Sequence, residues 1–364
     1  MMTTADDVRG WLGARTVAEC SALDLVAGRV AEADLVVCRD SLAGVVERPA
    51  YLAAVVTAVR MSRLGAVLVG WEAAPATGTG AFHEPLSRTI GETRVAAAIP
   101  VGEAGDAIVY AALKDPSHPH PRDISAATLA TAVPLVQDRR ALVEVVGRSR
   151  GVLGFFPDHL PRAIEYPWIL QRVRAAGASG AARVLDVGAG VNVLPVILHD
   201  DGAQVTTVDG HDVERTVDRR DAWNEWGFLD YSTLRAGIQS VRSAYERFES
   251  GEPFDVIYSV SVIEHLPAGL RRLWVERMAR QVRPGGLVLL TVDIRPLSRA
   301  LWNFSEGQPV EDAAAHGTLD DLLAECARQH LALDEIQMLD WLPASRVGVA
   351  LIALRRTVSG GSPR

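Results

Sequence analysis

The chain has 364 residues, 48% of them hydrophobic and 23% charged, which is material for two compact domains with ordinary cores. Its formal net charge of −8 disfavours a sequence-independent grip on phosphate backbones, which needs a basic face, so nucleic acid is an unfavoured partner. No apolar run approaches the roughly 20 residues that span a bilayer, and the acidic start MMTTADDVRGWLG is unlike a signal segment, so a cytoplasmic protein with no membrane partner is expected.

In chain order, the first clear pattern runs from Ala33 to Glu72: an apolar strand headed by Asp34, an amphipathic helix, a turn and a second apolar strand. This is the pattern of a βαβ unit in a parallel sheet. It returns without a gap from Phe254 to Asp293, with Asp34 on Asp255 and Gly65 on Gly286. Val95 to Pro100 with Ala107 to Lys114 resembles Ile336 to Trp341 with Gly348 to Arg356, each pair reading as two antiparallel edge strands. Part of one domain is therefore expected twice. The first copy has no glycine-rich segment, and Ala43 and Gly44 stand where Glu264 and His265 stand in the second. A scaffold, docking or oligomerisation role is expected for it, including homo-oligomer formation.

Lys114 to Asp123, KDPSHPHPRD, reads as a linker, so the expected domains are residues 1–123 and 124–358. A helical pattern of Leu and Val follows from Ser125, then a loop and an amphipathic helix that carries Tyr166 and Trp168. These two aromatics could close over a ligand or pack in the core. The three cysteines, Cys20, Cys38 and Cys326, have neither metal-ligand spacing nor the even count of a disulfide framework and read as small buried hydrophobes.

The central signal is RVLDVGAGVN, Arg183 to Asn192: an apolar strand that ends in Asp186, then a turn with Gly188 and Gly190, then a helix. Such glycines let the backbone turn sharply and let a ligand approach the main chain. The third glycine of a dinucleotide fingerprint is replaced by Val193. Asp186 before the turn suits a cationic amino-acid end better than a pyrophosphate, which it would repel. Asp209 closes the next strand, VTTVDG, one helix and one strand later, where an acid can accept ribose hydroxyls. FLDY with Asp230 and Tyr231, FDVIYSVSVIEHLP with Ser259, Glu264 and His265, and VRPGGLVLLTVD follow in order.

Taken together, these five segments resemble the motifs of class I, Rossmann-like S-adenosylmethionine-dependent methyltransferases. The resemblance implies an α/β fold with a seven-stranded, mostly parallel sheet, preceded here by the degenerate half-domain. It implies S-adenosylmethionine as cofactor, bound by Asp186, Gly188, Gly190, Asp209, Asp230, Tyr231 and Ser259, with the adenine amino group on Asp230. It implies methyl transfer to oxygen or nitrogen of a small-molecule acceptor. FFPDHLPRAIEYPW also resembles methyltransferases of bacterial glycan and secondary-metabolite clusters.

His265, with Glu264 beside it, is the general-base candidate, because its ordinary pKa lies near working pH. The competing reading has Glu264 and His265 start a helix, with the ring on backbone. Metal-dependent relatives carry an E-x-x-E-H pattern, but Ser261 replaces the first acid, so no bound metal is expected. Trp302, Phe304 and His316 lie where these enzymes build their acceptor pocket and suit an aromatic or glycosidic molecule. The rival functions are a non-catalytic binding protein on the same fold and an RNA or protein methyltransferase.

Overall fold

A computed structural model describes residues 9–10, 12, 14–42, 45, 48–70, 86–93, 96–104, 107–114, 120–177, 181–305, 308–310, 313–342 and 347–357. They form two compact units, Met1–Asp158 and His159–Arg364. Among the described residues no helix is long and apolar enough to cross a membrane.

In the first unit β1 (Val17–Cys20), β2 (Ala33–Ser41) and β3 (Ser62–Gly70) are parallel. An antiparallel hairpin, β4 (Ala96–Ala104) and β5 (Ala107–Lys114), is added so that the order is β1-β2-β3-β5-β4. The apolar runs of β2 and β3 are continuous rather than alternating because both faces of a parallel sheet are covered. The helix Arg48–Met61 buries Tyr51, Ala54, Val55, Ala58 and Val59, the one-faced spacing of an amphipathic helix laid on a sheet.

In the second unit β6 (Arg183–Val187), β7 (Gln204–Asp209), β10 (Gln239–Arg242), β11 (Phe254–Val260) and β12 (Val282–Ile294) are parallel, and β15 (Leu331–Leu342) and β16 (Val347–Arg356) are antiparallel. The order is β10-β7-β6-β11-β12-β16-β15, the seven-stranded, mostly parallel sheet expected. Two short ladders, β8 (Glu214–Arg215) with β9 (Phe228–Leu229) and β13 (Asn303–Ser305) with β14 (Gln308–Val310), lie outside it. The chain leaves β6 first toward β7 and later toward β11, so strand order reverses at β6, where α/β sheets open a ligand crevice at their carboxyl ends. Behind the sheet, the helices Ala268–Gln281 and Leu319–Arg328 are joined by Arg271, itself fully buried. Its Nε and Nη2 hold the two oxygens of buried Glu325 at 2.8 and 2.9 Å, and Nη1 donates to the His316 carbonyl.

The internal repeat is real at the level of topology: β1-β2-β3-β5-β4 repeats β6-β11-β12-β16-β15 in order and direction. It extends to individual bonds. Asp34, at the head of β2, accepts from the amides of Arg15 and Thr16 at 2.9 Å and from Arg63 Nε at 2.8 Å. Asp255, at the head of β11, accepts from the Arg183 amide at 2.8 Å and from Arg283 Nε. At both acids desolvation is outweighed by these bonds, which hold the carboxyl below its usual range. Lys114 Nζ caps the carbonyls of Arg60 and Ser62, and Arg356 Nη1 caps those of Arg280 and Val282.

Three expectations change in detail. Leu35 pairs with Gly65 while Val256 pairs with Leu287, so Gly65 stands at Leu287 and not at Gly286. The second copy has a longer turn, with Gly285 at φ +77°, and Gly65 is glycine because a Cβ would lie 2.5 Å from the Ala112 carbonyl oxygen. In each of the two hairpins one strand lies at the edge, β4 and β15, while β5 and β16 lie inside their sheets. The division between units falls after Asp158 rather than at the proline-rich 114–123 segment, because the helices Ala126–Ala132 and Arg139–Leu153 pack against β4 and β5. Ala43 and Gly44 lie outside the described residues. All three cysteines are free and buried.

Candidate cofactor crevice and active site

Beyond β6 the chain turns through Gly188 at φ +72° and Gly190 at φ +53°. Side chains rarely adopt either conformation, and the protein's own atoms close the space as well. A Cβ on Gly188 would lie 2.7 Å from Val262 Cγ2, and one on Gly190 would lie 2.4 Å from the Glu225 carbonyl oxygen. Asp209, at the carboxyl end of β7, accepts from the amides of Gly190 at 2.8 Å and His211 at 2.7 Å.

Asn192, which the sequence reading missed, knits the turn together. Its amide nitrogen donates to Asp186 Oδ2 at 3.1 Å and to the Ala189 carbonyl at 2.7 Å, and its Oδ1 accepts from the Leu194 amide at 2.8 Å at the start of the next helix. An Asn just ahead of an apolar helix was the available signal. Tyr231 is fully buried beneath the turn, its hydroxyl accepting from the Asn192 amide at 2.8 Å and facing the carbonyls of Gly190 and Asn192 at 3.0 and 3.1 Å. Its hydroxyl is spent on the turn. Tyr231→Phe leaves a buried amide without an acceptor and is expected to cost about 1–3 kcal/mol in urea denaturation.

Asp186 is 1% exposed. Burial raises its carboxyl to about 7, against the opposing hydrogen bond from Asn192, and no basic side chain is among the groups that act on it. Its titration has a definite sign. The folded value lies above the unfolded one, so the stabilisation is complete in acid and is lost as pH rises from about 4 through 7. Asp186→Asn, which cannot titrate, is therefore expected to gain stability relative to wild type between pH 5 and pH 8, by a few kcal/mol in urea denaturation. A constant difference across that range would show the carboxyl to be solvated.

Asp230 caps the turn Tyr231–Thr233 and accepts from the Ser232 amide at 3.0 Å. Ser259, fully buried, donates to the Val187 carbonyl at 2.8 Å and ties β11 to β6. Glu264 and His265 form a 3-10 turn after β11. Glu264 is fully buried; Oε1 accepts from the Asp293 amide at 3.0 Å, and Oε2 has no hydrogen-bond partner among the described residues. His265 is half-buried, with Nδ1 at 2.9 Å from the Trp302 carbonyl oxygen and Nε2 at 3.9 Å from Glu264 Oε1. A carbonyl can only accept, so Nδ1 carries a proton, and in the neutral ring the lone pair is on Nε2. The ring meets Trp302 edge-on, with centroids 5.3 Å apart.

Behind this turn, Arg162 pairs with Glu165, and Glu165 Oε1 accepts from the Thr291 hydroxyl at 2.7 Å. Burial, then the charges of Glu165 and Glu264, push the Asp293 carboxyl well above its usual range. Tyr166, Trp168 and Trp302 are at most 4% exposed and pack as core aromatics. Buried His316 places Nδ1 at 3.2 Å from the Leu266 carbonyl oxygen, and the Phe304 side chain lies outside the described residues. Ser261, at φ 50°, takes the place of the first acid in the metal pattern. Among the described residues no three His, Cys, Asp or Glu side chains gather so as to hold an ion.

A profile of a methyltransferase-domain family matches residues 159–342, half of the chain and every parallel strand of the second sheet. The chain belongs to this methyltransferase family. The methyltransferase is 27% identical to the ubiquinone biosynthesis O-methyltransferase of Stutzerimonas stutzeri over 147 residues, 40% of this chain and 58% of the relative. The corresponding enzyme of Pasteurella multocida is 30% identical over 115 residues, 31% of this chain and 46% of its own. The glycine N-methyltransferase of Rattus norvegicus is 27% identical over 143 residues, 37% of this chain and 48% of its own. The methyltransferase thus spans between 46% and 58% of the length of these three relatives. Among solved structures it resembles 1,6-didemethyltoxoflavin-N1-methyltransferase from Burkholderia thailandensis, at 16% identity and TM-score 0.41, covering 52% of this chain and 77% of that one. Magnesium protoporphyrin IX methyltransferase from Synechocystis PCC 6803 gives 13% identity and TM-score 0.40, covering 58% and 90%.

Proposed function

We propose that this methyltransferase transfers the methyl group of S-adenosylmethionine to a hydroxyl oxygen or amine nitrogen of a small molecule, with glycans and secondary metabolites as the favoured acceptor classes. The observation that carries the reading is the presence together of Asp209, at the carboxyl end of β7 beside the glycine turn, and Asp186, a buried carboxyl that no basic side chain among the described residues neutralises. The first suits two ribose hydroxyls and the second suits the cationic amino-acid end of the cofactor. The residues present therefore fit the group.

When bound, the cofactor supplies an already activated methyl on a sulfonium. The chain's own residues have to bring a nucleophile into line with the S–CH₃ bond and accept its proton. With the proton on Nδ1, His265 offers Nε2 as that base, and the Trp302 carbonyl fixes the ring's orientation. Glu264 beside it holds the Asp293 amide and so joins the turn after β11 to the end of β12. The first unit, which among its described residues has the sheet without a glycine turn after β1, is assigned a scaffold, docking or oligomerisation role.

The test is transfer of labelled methyl from S-adenosylmethionine to panels of hydroxyl and amine acceptors. His265→Ala is expected to lower kcat by a factor of about 10²–10⁴ with cofactor affinity unchanged. Wild-type protein that binds cofactor and transfers methyl to neither panel would favour the non-catalytic binding reading.

A further inference from the structure

The segment between β7 and β10 is stapled to itself. The Arg215 guanidinium donates to the carbonyls of Trp226 at 2.8 Å and Ala222 at 3.1 Å and to Asn224 Oδ1 at 2.9 Å. The indole of buried Trp223 donates to the Thr216 carbonyl at 2.9 Å, and β8 pairs with β9. From this body Glu225 reaches in two directions. Its main-chain carbonyl accepts from the Val191 amide at 3.0 Å and is the atom that forbids a Cβ at Gly190. Its side chain turns away to Arg162, Nε to Oε2 at 3.0 Å, with His159 Nδ1 at 3.7 Å from Oε1. Arg162 also holds Glu165, which Thr291 of β12 binds in turn.

One residue thus ties the glycine turn, by its backbone, to the helix Arg162–Ala175 and on to β12, by its side chain. The Arg162 and Glu225 side chains are 8% and 14% exposed, so their attraction escapes most of the screening that weakens surface pairs. Arg242 of β10 also holds the segment, through Glu214 Oε2 at 3.2 Å and the Asp212 carbonyl, whereas the Glu225 side chain ties it toward the helix Arg162–Ala175. A segment rigid within itself shifts as a body when such a tie is cut.

We propose that Arg162 and Glu225 form a strut that presses the 211–229 segment onto the 188–191 turn and thereby sets cofactor affinity from outside the crevice. Both are positioning residues, and the proposal rests on the cofactor reading above. Glu225→Ala keeps the main-chain carbonyl and removes the side-chain tie to Arg162 together with the His159 contact. It is expected to speed amide exchange in peptides covering 188–193 and 211–229 about tenfold in the ligand-free protein, with β11 and β12 unchanged. It is also expected to raise the calorimetric Kd for S-adenosylmethionine about tenfold.

Arg162→Met alone would strand the buried Glu165, so it is made together with Glu165→Gln, and that pair of changes is expected to reproduce both effects. Exchange within about twofold of wild type would overturn the strut. Faster exchange with unchanged Kd would overturn its effect on the cofactor. Wild-type protein that binds no S-adenosylmethionine would defeat the cofactor reading, and the exchange comparison would still decide whether the strut exists.

Discussion

Alanine at Asp209 is expected to raise the Kd for S-adenosylmethionine about 100-fold or more, with smaller losses in thermal stability. The carboxylate accepts the Gly190 and His211 amides, and the proposed function gives its remaining lone pairs to the ribose. Hydrogen bonds to a charged acceptor contribute about 1.5–3 kcal/mol each, and about 2.7 kcal/mol is a hundredfold in affinity. Alanine also unpins the turn, so ligand contact and turn geometry fail together. Titration calorimetry of cofactor and its demethylated product against both proteins measures the loss. A change below about threefold would mean that the crevice is elsewhere.

The largest effect on stability is expected at Arg271. Replacement by methionine keeps the length of the side chain but leaves Glu325, 4% exposed, as an uncompensated charge between two helices. Breaking a buried pair in this way costs about 3–5 kcal/mol, a large share of the roughly 5–15 kcal/mol that a domain has. The double variant Arg271→Met/Glu325→Met removes both charges and is expected to recover most of the loss, since apolar replacement of a whole buried pair is close to neutral. Urea denaturation of the single and double variants decides it. A single variant within about 1 kcal/mol of wild type would show that water reaches Glu325.

Much of the fold was legible because its determinants are local. Parallel strands covered on both faces read as unbroken apolar runs, and the helix Arg48–Met61 shows its buried face in its own spacing. The glycine turn and Asp209 were legible for the same reason, since one strand, one turn and one helix fix their places. The strut was not: Arg162 and Glu225 lie far apart in sequence, and Glu225 acts partly through a carbonyl that any residue would supply. The sequence implies a sharp turn and ligand approach at the two glycines; it does not show that Val262 and the Glu225 carbonyl also close the space a Cβ would need. Tyr231 and Ser259 were picked from their motifs, but a motif does not say where a hydroxyl is spent, and here backbone carbonyls and an amide claim both. Prolines punctuate 114–123, yet the next two helices fold back onto the first sheet, which composition cannot foretell.

Asp34 with Arg63 and Asp255 with Arg283 brace the same corner of two sheets, only one of which has a glycine turn followed by β7 and β10. Among the described residues, the wall made by β11, β12, β16 and β15 is therefore a block that this chain already builds once without counterparts of β7 and β10 beside it. In the second unit β7 and β10 are an annex to that block, hydrogen-bonded into the sheet through β6. Under the proposed function, fraying of the annex and departure of the cofactor are then expected to be a single event, with the wall left standing to template the next capture.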